Sequence, residues 1–227
     1  VLNRTGTVEI LIQGEPNRID RFMERLIDNA PPLARPILAN GYTAKLDDLD
    51  SFSILDSIAE SSSPIHIPPD YCLCGDCLEE LKDPKQRRYR YPFINCTQCG
   101  PRYTLIKRLP YDRANTAMAE FELCADCRNE YENRLDRRFH AQPLACPVCG
   151  PSLTFHISGE KTISDTGKAL TACIDALRAG AIVAATGVGG YHLICDATSE
   201  SVVQRLRERK QRARKPLAVL LPWRGQE

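Results

Sequence analysis

Eight of the chain's eleven cysteines stand in four CxxC pairs. Cys74 to Pro101 reads CGDCLEELKDPKQRRYRYPFINCTQCGP, two pairs around eighteen residues. Cys124 to Pro151 reads CADCRNEYENRLDRRFHAQPLACPVCGP, the same pairs around the same gap, fifty positions on. A CxxC turn aims two thiolates at one point. Two such turns close a tetrahedral set of four sulfurs, which leaves no position for water and is the donor set of structural zinc. The expected ligands are Cys74, Cys77, Cys96 and Cys99 for one ion, and Cys124, Cys127, Cys146 and Cys149 for a second. The repeat unit is a whole pair–gap–pair, which favours one ion per repeat. Interleaved pairing, first pair with fourth and second with third, is the alternative. Redox dithiols come singly, on a helix N-terminus after a strand. Iron–sulfur clusters use four thiolates as well, but the matched spacing favours zinc over both. An odd cysteine count with no export signal argues against a disulfide framework.

The repeat holds its register beyond the cysteines: Glu80 maps onto Glu130, Arg87 and Arg88 onto Arg137 and Arg138, Tyr89 onto Phe139, and Gly100–Pro101 onto Gly150–Pro151. Cys72 has Glu122 as its counterpart, so it reads as a bystander; Cys173 and Cys195 read as small core residues. His140 reads as a structural or surface histidine beside four available thiolates. The basic stretch KQRRYRY could bind nucleic acid, but the net charge of the whole chain is only +1, so a solvated turn is favoured and nucleic acid is not the expected partner.

A second candidate site lies near the C-terminus. In TGVGGYHLICDA, Gly187, Gly189 and Gly190 follow a short apolar strand, where glycine lets backbone approach an anion closely. RERKQRARKPLAV then gathers Arg207, Arg209, Lys210, Arg212, Arg214 and Lys215 before another apolar run. A Gly-rich turn beside several cations suits a phosphate group.

The elements that must position these groups fall into four stretches. Residues 1–40 read as a small α+β unit: a strand from Val8 to Ile12, then a helix in PNRIDRFMERLIDNAPP with Ile19, Phe22, Met23, Leu26 and Ile27 on one face. Residues 41–69, with DDLD, SSSP and PP, read as a linker. Residues 70–155 are the cysteine repeat, and 156–227 the opening of an α/β domain. In that domain KALTACIDALRAG is a helix stopped by Gly180, AIVAAT a strand, SESVVQRLRERKQR a helix capped by Ser199, and PLAVLL a strand. No apolar run is long enough to span a bilayer and the N-terminus has no export signal; a soluble, cytoplasmic chain is expected.

The cysteine repeat, RRFHAQPLACPVCGP and GAIVAATGVGGYHLICDATSESVVQRLRERKQRARKPLAVLLP together resemble the HypF family, the carbamoyltransferases of [NiFe]-hydrogenase maturation. The resemblance covers nearly the whole chain and implies an internal piece of such an enzyme. The implied fold is α+β and multidomain: a partial ferredoxin-like acylphosphatase unit, two four-cysteine zinc fingers, and the beginning of a YrdC-like domain. The implied reaction activates carbamoyl phosphate with ATP, with magnesium, to carbamoyl adenylate. The carbamoyl group then passes to the C-terminal cysteine thiolate of a HypE-like partner. Asn3 falls at the family's acylphosphatase asparagine, but the arginine-bearing strand that completes that site is absent, so no acylphosphatase activity is expected of the chain. Lys210 and Arg212 match the KxR motif and Lys215 the following KP, implying contacts to nucleotide and carbamoyl phosphates together with Gly189 and Gly190. Thr186 stands where the family has lysine, which puts one such contact in question. The fingers are implied connectors that position flanking catalytic domains. The competing readings are a tandem zinc ribbon that binds nucleic acid, a YrdC-like enzyme of tRNA threonylcarbamoylation, and a chaperone-like zinc domain, the last disfavoured because CxxCxGxG units are absent.

Overall fold

The computed structural model describes residues 1–4, 7–30, 33–34, 36–45, 51–58, 68–159, 162–187 and 190–221. They form two units, Val1–Pro151 and Ser152–Glu227.

The first unit opens with β1 (Leu2–Arg4) and β2 (Thr7–Glu9), an antiparallel pair in which Asn3 faces Val8. Helix α1 (Pro16–Asp28) follows, started by proline in its first turn, where the missing N–H costs nothing. Its apolar stripe sits as the periodicity predicts, with Ile19, Met23 and Leu26 half-buried, yet Phe22 and Ile27 stay exposed. Strand β3 (Leu55–Ile58) lies parallel to β1 and makes the sheet order β2-β1-β3. It falls within the stretch read as a linker. The predicted strand Val8–Ile12 is shorter than its alternation suggests: pairing stops at Glu9, where β1 offers Leu2 as its last partner.

Residues 70–151 carry two copies of one small fold. Helix α2 (Gly75–Lys82) begins immediately after Cys74, and α3 (Ala125–Glu132) immediately after Cys124. After each helix the chain descends through one-turn hydrogen bonds: Gln86 N–H to Asp83 O, Tyr89 to Gln86 and Tyr91 to Arg88 in the first copy. Asp136 to Asn133, Phe139 to Asp136 and Ala141 to Arg138 repeat them in the second. Arg90 and His140, fifty apart, both take left-handed backbone, φ 55° and 52°. The turn is fixed by their amides, which donate to Leu81 O and Tyr131 O on the preceding helices. The buried core here is small and sulfur-rich: Cys77, Tyr91, Ile94, Cys96, Cys99, Met118 and Ala145 in one cluster, Cys127, Ala141, Leu144 and Cys146 in the other.

The second unit contains α4 (Thr166–Arg178), the hairpin β4 (Val183–Gly187) with β5 (Gly190–Ile194), and α5 (Glu200–Lys210). Asp165 caps α4 by accepting the Lys168 amide, and Gly180, at φ 81°, turns the chain after it. Ser199 occupies the N-cap of α5 but makes no side-chain cap bond. Ala169, Val202 and Leu206 are its buried apolar residues. The predicted strand PLAVLL does not form: residues 216–221 pair with no strand among the described residues, and Val219, Leu220 and Leu221 are exposed. A strand needs a neighbour for its ladder, and propensity alone does not supply one.

Candidate metal centres

In each copy the first CxxC straddles a helix start. Cys74 sits at the N-cap of α2 and Cys77 in its first turn; Cys124 and Cys127 repeat this on α3. That places two sulfurs beside the free N–H groups of the helix's first turn. The second CxxC is a tight turn. Its first cysteine sulfur accepts the amide two residues on, Gln98 N–H to Cys96 Sγ at 3.3 Å and Val148 N–H to Cys146 Sγ at 3.4 Å.

The four sulfurs of each copy converge, all within 4.8 Å of one another. Cys96 Sγ lies 3.7 Å from Cys74 and 3.8 Å from Cys99. Cys146 Sγ lies 3.7 Å from Cys124 and 3.6 Å from Cys149. Four sulfurs at zinc–thiolate distance around one tetrahedral ion are about 3.8 Å apart, so the donor set fits that ion. The grouping is repeat by repeat, Cys74–Cys77–Cys96–Cys99 and Cys124–Cys127–Cys146–Cys149, and not interleaved. Cys72 is exposed and outside both groups; Cys173 and Cys195 are half-buried in the second unit.

Between the two centres lies a junction that the sequence lists but does not join. Arg87 and Arg88, from the first copy, reach the second: Glu130 takes Arg87 Nη2 at 2.6 Å and Arg88 Nη2 at 2.5 Å. Arg137 and Arg138 return the contact, both binding Glu80, Arg138 at 2.5 Å. The exchange continues in the backbone. Arg88 Nε donates to Ala145 O at 2.8 Å and Arg138 Nε to Asn95 O at 3.0 Å, again equivalent positions. Arg88 is fully buried, and Arg138 nearly so. Burial opposes charge on Glu130, but hydrogen bonds from Arg88 and Arg87 outweigh it and hold the carboxyl at about 2. Glu80 is likewise lowered against its burial, chiefly by Arg138. These arginines belong to KQRRYRY and RRFH, the stretches a nucleic-acid reading needs. Their guanidinium groups are spent on the finger pair, with Arg88 wholly out of solvent.

Arg113 is a structural residue with no signal in the repeat: it donates to the carbonyls of Gln142, Leu144 and Phe121, stapling the segment between the copies to the second one. His140 is exposed and packs tilted against Tyr131 and edge-on against Phe139, ring centroids 4.8 and 4.5 Å away.

The C-terminal candidates lie in the second unit. Gly190 opens β5 opposite Gly187, and Thr186 pairs with Tyr191; Gly189 lies outside the described residues. Lys210 ends α5, Gln211 reverses the chain with φ 51°, and Arg212 and Lys215 follow in an exposed loop. Arg207 organises that loop: its Nη1 donates to the carbonyls of Arg212, Ala213 and Lys215, the last at 2.8 Å. Asn3 lies in β1; its side chain is outside the described residues.

Comparison with known proteins places this geometry. The family model described as HypF finger matches residues 73–106 and 123–156, one match per four-cysteine copy. The chain is 50% identical over its whole length to Carbamoyltransferase HypF of Synechocystis. The chain belongs to the HypF family. It spans 29% of the length of that relative. Probable carbamoyltransferase HypF of Methanocaldococcus jannaschii is 46% identical over 97% of this chain, again 29% of the relative. Among solved structures, T. kodakarensis HypF matches with TM-score 0.81 and 45% identity, over 95% of this chain and 27% of that one. Full-length HypF crystallised in the phosphate- and nucleotide-bound form matches with TM-score 0.78 and 44% identity, over 90% of this chain and 26% of that one. A second family model, Telomere recombination of the Sua5/YciO/YrdC group, matches residues 175–224. The expected fold class stands: a mixed α and β chain with two HypF fingers and the beginning of a Sua5/YrdC unit. No helix among the described residues is long and apolar enough to cross a membrane.

Proposed function

We propose that this chain serves a HypF-type carbamoyltransferase as its zinc-bound connector and as part of its phosphate-binding unit. The observation that carries the reading is end-to-end identity of about half with a named HypF carbamoyltransferase, in a chain eight of whose eleven cysteines gather as two four-sulfur sites. The whole enzyme, on this reading, consumes ATP and carbamoyl phosphate with magnesium. Water takes the phosphate from carbamoyl phosphate, the carbamate oxygen attacks the α-phosphorus of ATP as pyrophosphate leaves, and the carbamoyl group is then handed to the C-terminal cysteine thiolate of a HypE-like maturation protein in the cytoplasm. The thiolate sulfur forms the new bond to the carbamoyl carbon and AMP leaves.

Cys74, Cys77, Cys96 and Cys99 would hold one zinc ion, and Cys124, Cys127, Cys146 and Cys149 the other. The ion supplies cross-linking and no open coordination position, so its contribution is folding energy. Residues 70–155 are the finger region on this reading. Residues 1–40 are a partial acylphosphatase-like unit carrying Asn3; the order β1, β2, α1 is compatible with it, and β3 extends that sheet from within residues 41–69. Residues 156–227 open the YrdC-like domain. There Lys210, Arg212 and Lys215, with Gly189 and Gly190, would meet the phosphates of nucleotide and carbamoyl phosphate. A full-length HypF has been solved in a phosphate- and nucleotide-bound form, which supports the assignment.

The test is pyrophosphate release from ATP by the full-length enzyme carrying this segment. Release should require carbamoyl phosphate. Lys210→Ala and Arg212→Ala should each lower it about 10- to 100-fold, the worth of one charge-assisted phosphate contact. Equal turnover with threonine and bicarbonate would instead support the tRNA threonylcarbamoylation reading.

A further inference from the structure

Each finger places an arginine on a cysteine of the other. Arg137 Nη1 donates to Cys77 Sγ at 2.9 Å. Arg87 donates to Cys127 Sγ through Nη1 at 3.5 Å and Nη2 at 3.4 Å, and Arg88 Nη2 lies 3.4 Å from the same sulfur. Cys77 and Cys127 are both fully buried. They are the inner cysteine of the helical pair in their respective copies. A divalent ion on four thiolates leaves a site with net negative charge, costly to bury unless cations or N–H donors face it. Beside the same-finger amides on Cys96 and Cys146, the charged donors on Cys77 and Cys127 come from the other finger. Arg87 and Arg88 hang from the loop after α2, whose helix starts at Cys74 and whose descent is pinned by the Arg90 amide on Leu81 O. Arg137 and Arg138 hang from the equivalent loop after α3, pinned by His140 on Tyr131 O. Closing four sulfurs on an ion in one finger therefore fixes the helix and loop that present donors to the other finger's sulfur.

We propose that Arg87 and Arg137 are outer-sphere positioning residues of the opposite metal centre, and that through them the two centres load with positive cooperativity. The proposal rests on zinc occupying both four-sulfur sites, and is independent of the transferase reaction. Glu80 and Glu130 hold the donors in place: Glu130 binds Arg87 at 2.6 Å and Arg88 at 2.5 Å, and Glu80 binds Arg137 and Arg138. Arg87 and Arg137 keep 31% and 26% of their side chains in solvent, against 0% and 5% for Arg88 and Arg138. Substituting the outer pair therefore leaves the buried pair to hold the fingers together.

The experiment is titration of zinc into reduced, metal-free protein, followed by native mass spectrometry that counts ions per molecule. Two equal, independent sites give a one-zinc form that reaches half of the protein at half-saturation. Tenfold coupling lowers it to about a quarter. The expected result is a one-zinc population of about a quarter or less in the wild-type chain. It should rise to about half in the double variant Arg87→Gln/Arg137→Gln, which still takes two ions. A merely structural role would weaken both sites without changing this distribution. A one-zinc population of half or more in the wild type overturns the coupling. An equally low population in the double variant overturns the role of Arg87 and Arg137. Uptake of fewer than two ions at saturation overturns the zinc reading itself, and the coupling with it. Where the double variant recovers poorly, Arg87→Gln alone, which touches only the second centre, should shift the distribution part of the way.

Discussion

The Tyr111 hydroxyl is buried with no hydrogen-bond partner among the described residues, while the Thr116 hydroxyl nearby in sequence bonds Arg113 O at 2.8 Å. An unpaired buried polar atom carries its desolvation cost with nothing against it. Tyr111→Phe should therefore leave thermal stability unchanged or raise it by up to about 1 kcal/mol; a loss of that size would mean that the hydroxyl has a partner. The same residue gives a pH signature. Burial raises its pKa from 10.0 to about 12. Between those values the unfolded chain releases a proton that the folded chain keeps, so this group costs the fold nothing by titration below pH 10 and progressively more as pH climbs toward 12. Chemical denaturation across that window should show a smaller alkaline loss in Tyr111→Phe than in the wild type. Gly150 shows the opposite constraint. A Cβ there would meet Tyr91 Oη at 2.3 Å and Ala145 Cβ at 2.5 Å, whereas one on Gly75 meets nothing within 4 Å. Gly150→Ala should cost on the order of 1–3 kcal/mol, and Gly75→Ala should stay within about 0.5 kcal/mol, both read from denaturant midpoints of the metal-loaded protein.

At the scale of elements, the finger pair is held by a buried charge exchange. Breaking such a pair costs more than its presence gains, because the surviving charge is stranded. Arg88→Met strips Glu130 of its closest cation and leaves Ala145 O without its donor. The expected loss is about 3–5 kcal/mol. The double variant Arg88→Met/Glu130→Leu should recover much of it; denaturant unfolding of both, zinc-loaded, checks the pair. Sequence reading reached this junction only halfway. The repeat aligns Glu80 with Glu130 and Arg88 with Arg138. An offset of fifty is, however, the same whether an arginine binds its own copy's glutamate, as Arg88 also does with Glu80 at 3.3 Å, or the other copy's, so the crossing contacts are invisible without coordinates. The cysteine sites were legible because ligand spacing within one turn fixes geometry locally. Strand β3 was not, because its partner β1 lies about fifty residues away and breakers in the intervening segment masked it. PLAVLL failed for the converse reason: its β-propensity is real, but nothing pairs with it among the described residues.

At the scale of the whole molecule, the two units depend on metal differently. In residues 70–151 five of the ligand cysteines, Cys77, Cys96, Cys99, Cys127 and Cys146, are themselves the buried core, beside a few apolar side chains. So small a core contributes little burial energy, and the missing stabilisation must come from the ions. The second unit's core is smaller still, but no ligand cysteine belongs to it. Its buried residues Ala169, Val202 and Leu206 are aliphatic, and none of the eight ligand cysteines lies within Ser152–Glu227. Removing zinc with a strong chelator under reducing conditions should abolish amide protection across α2, α3 and the turns at Cys96–Cys99 and Cys146–Cys149. Protection of α4, β4, β5 and α5 should stay at its level in the loaded protein. Hydrogen exchange read peptide by peptide separates the outcomes. Persistent protection in the fingers would mean that their hydrogen-bonded turns and arginine junction suffice without an ion. A uniform loss across both units would mean that the fold of residues 152–221 also requires the ions, and that metal acts on the whole chain and not on the connector alone.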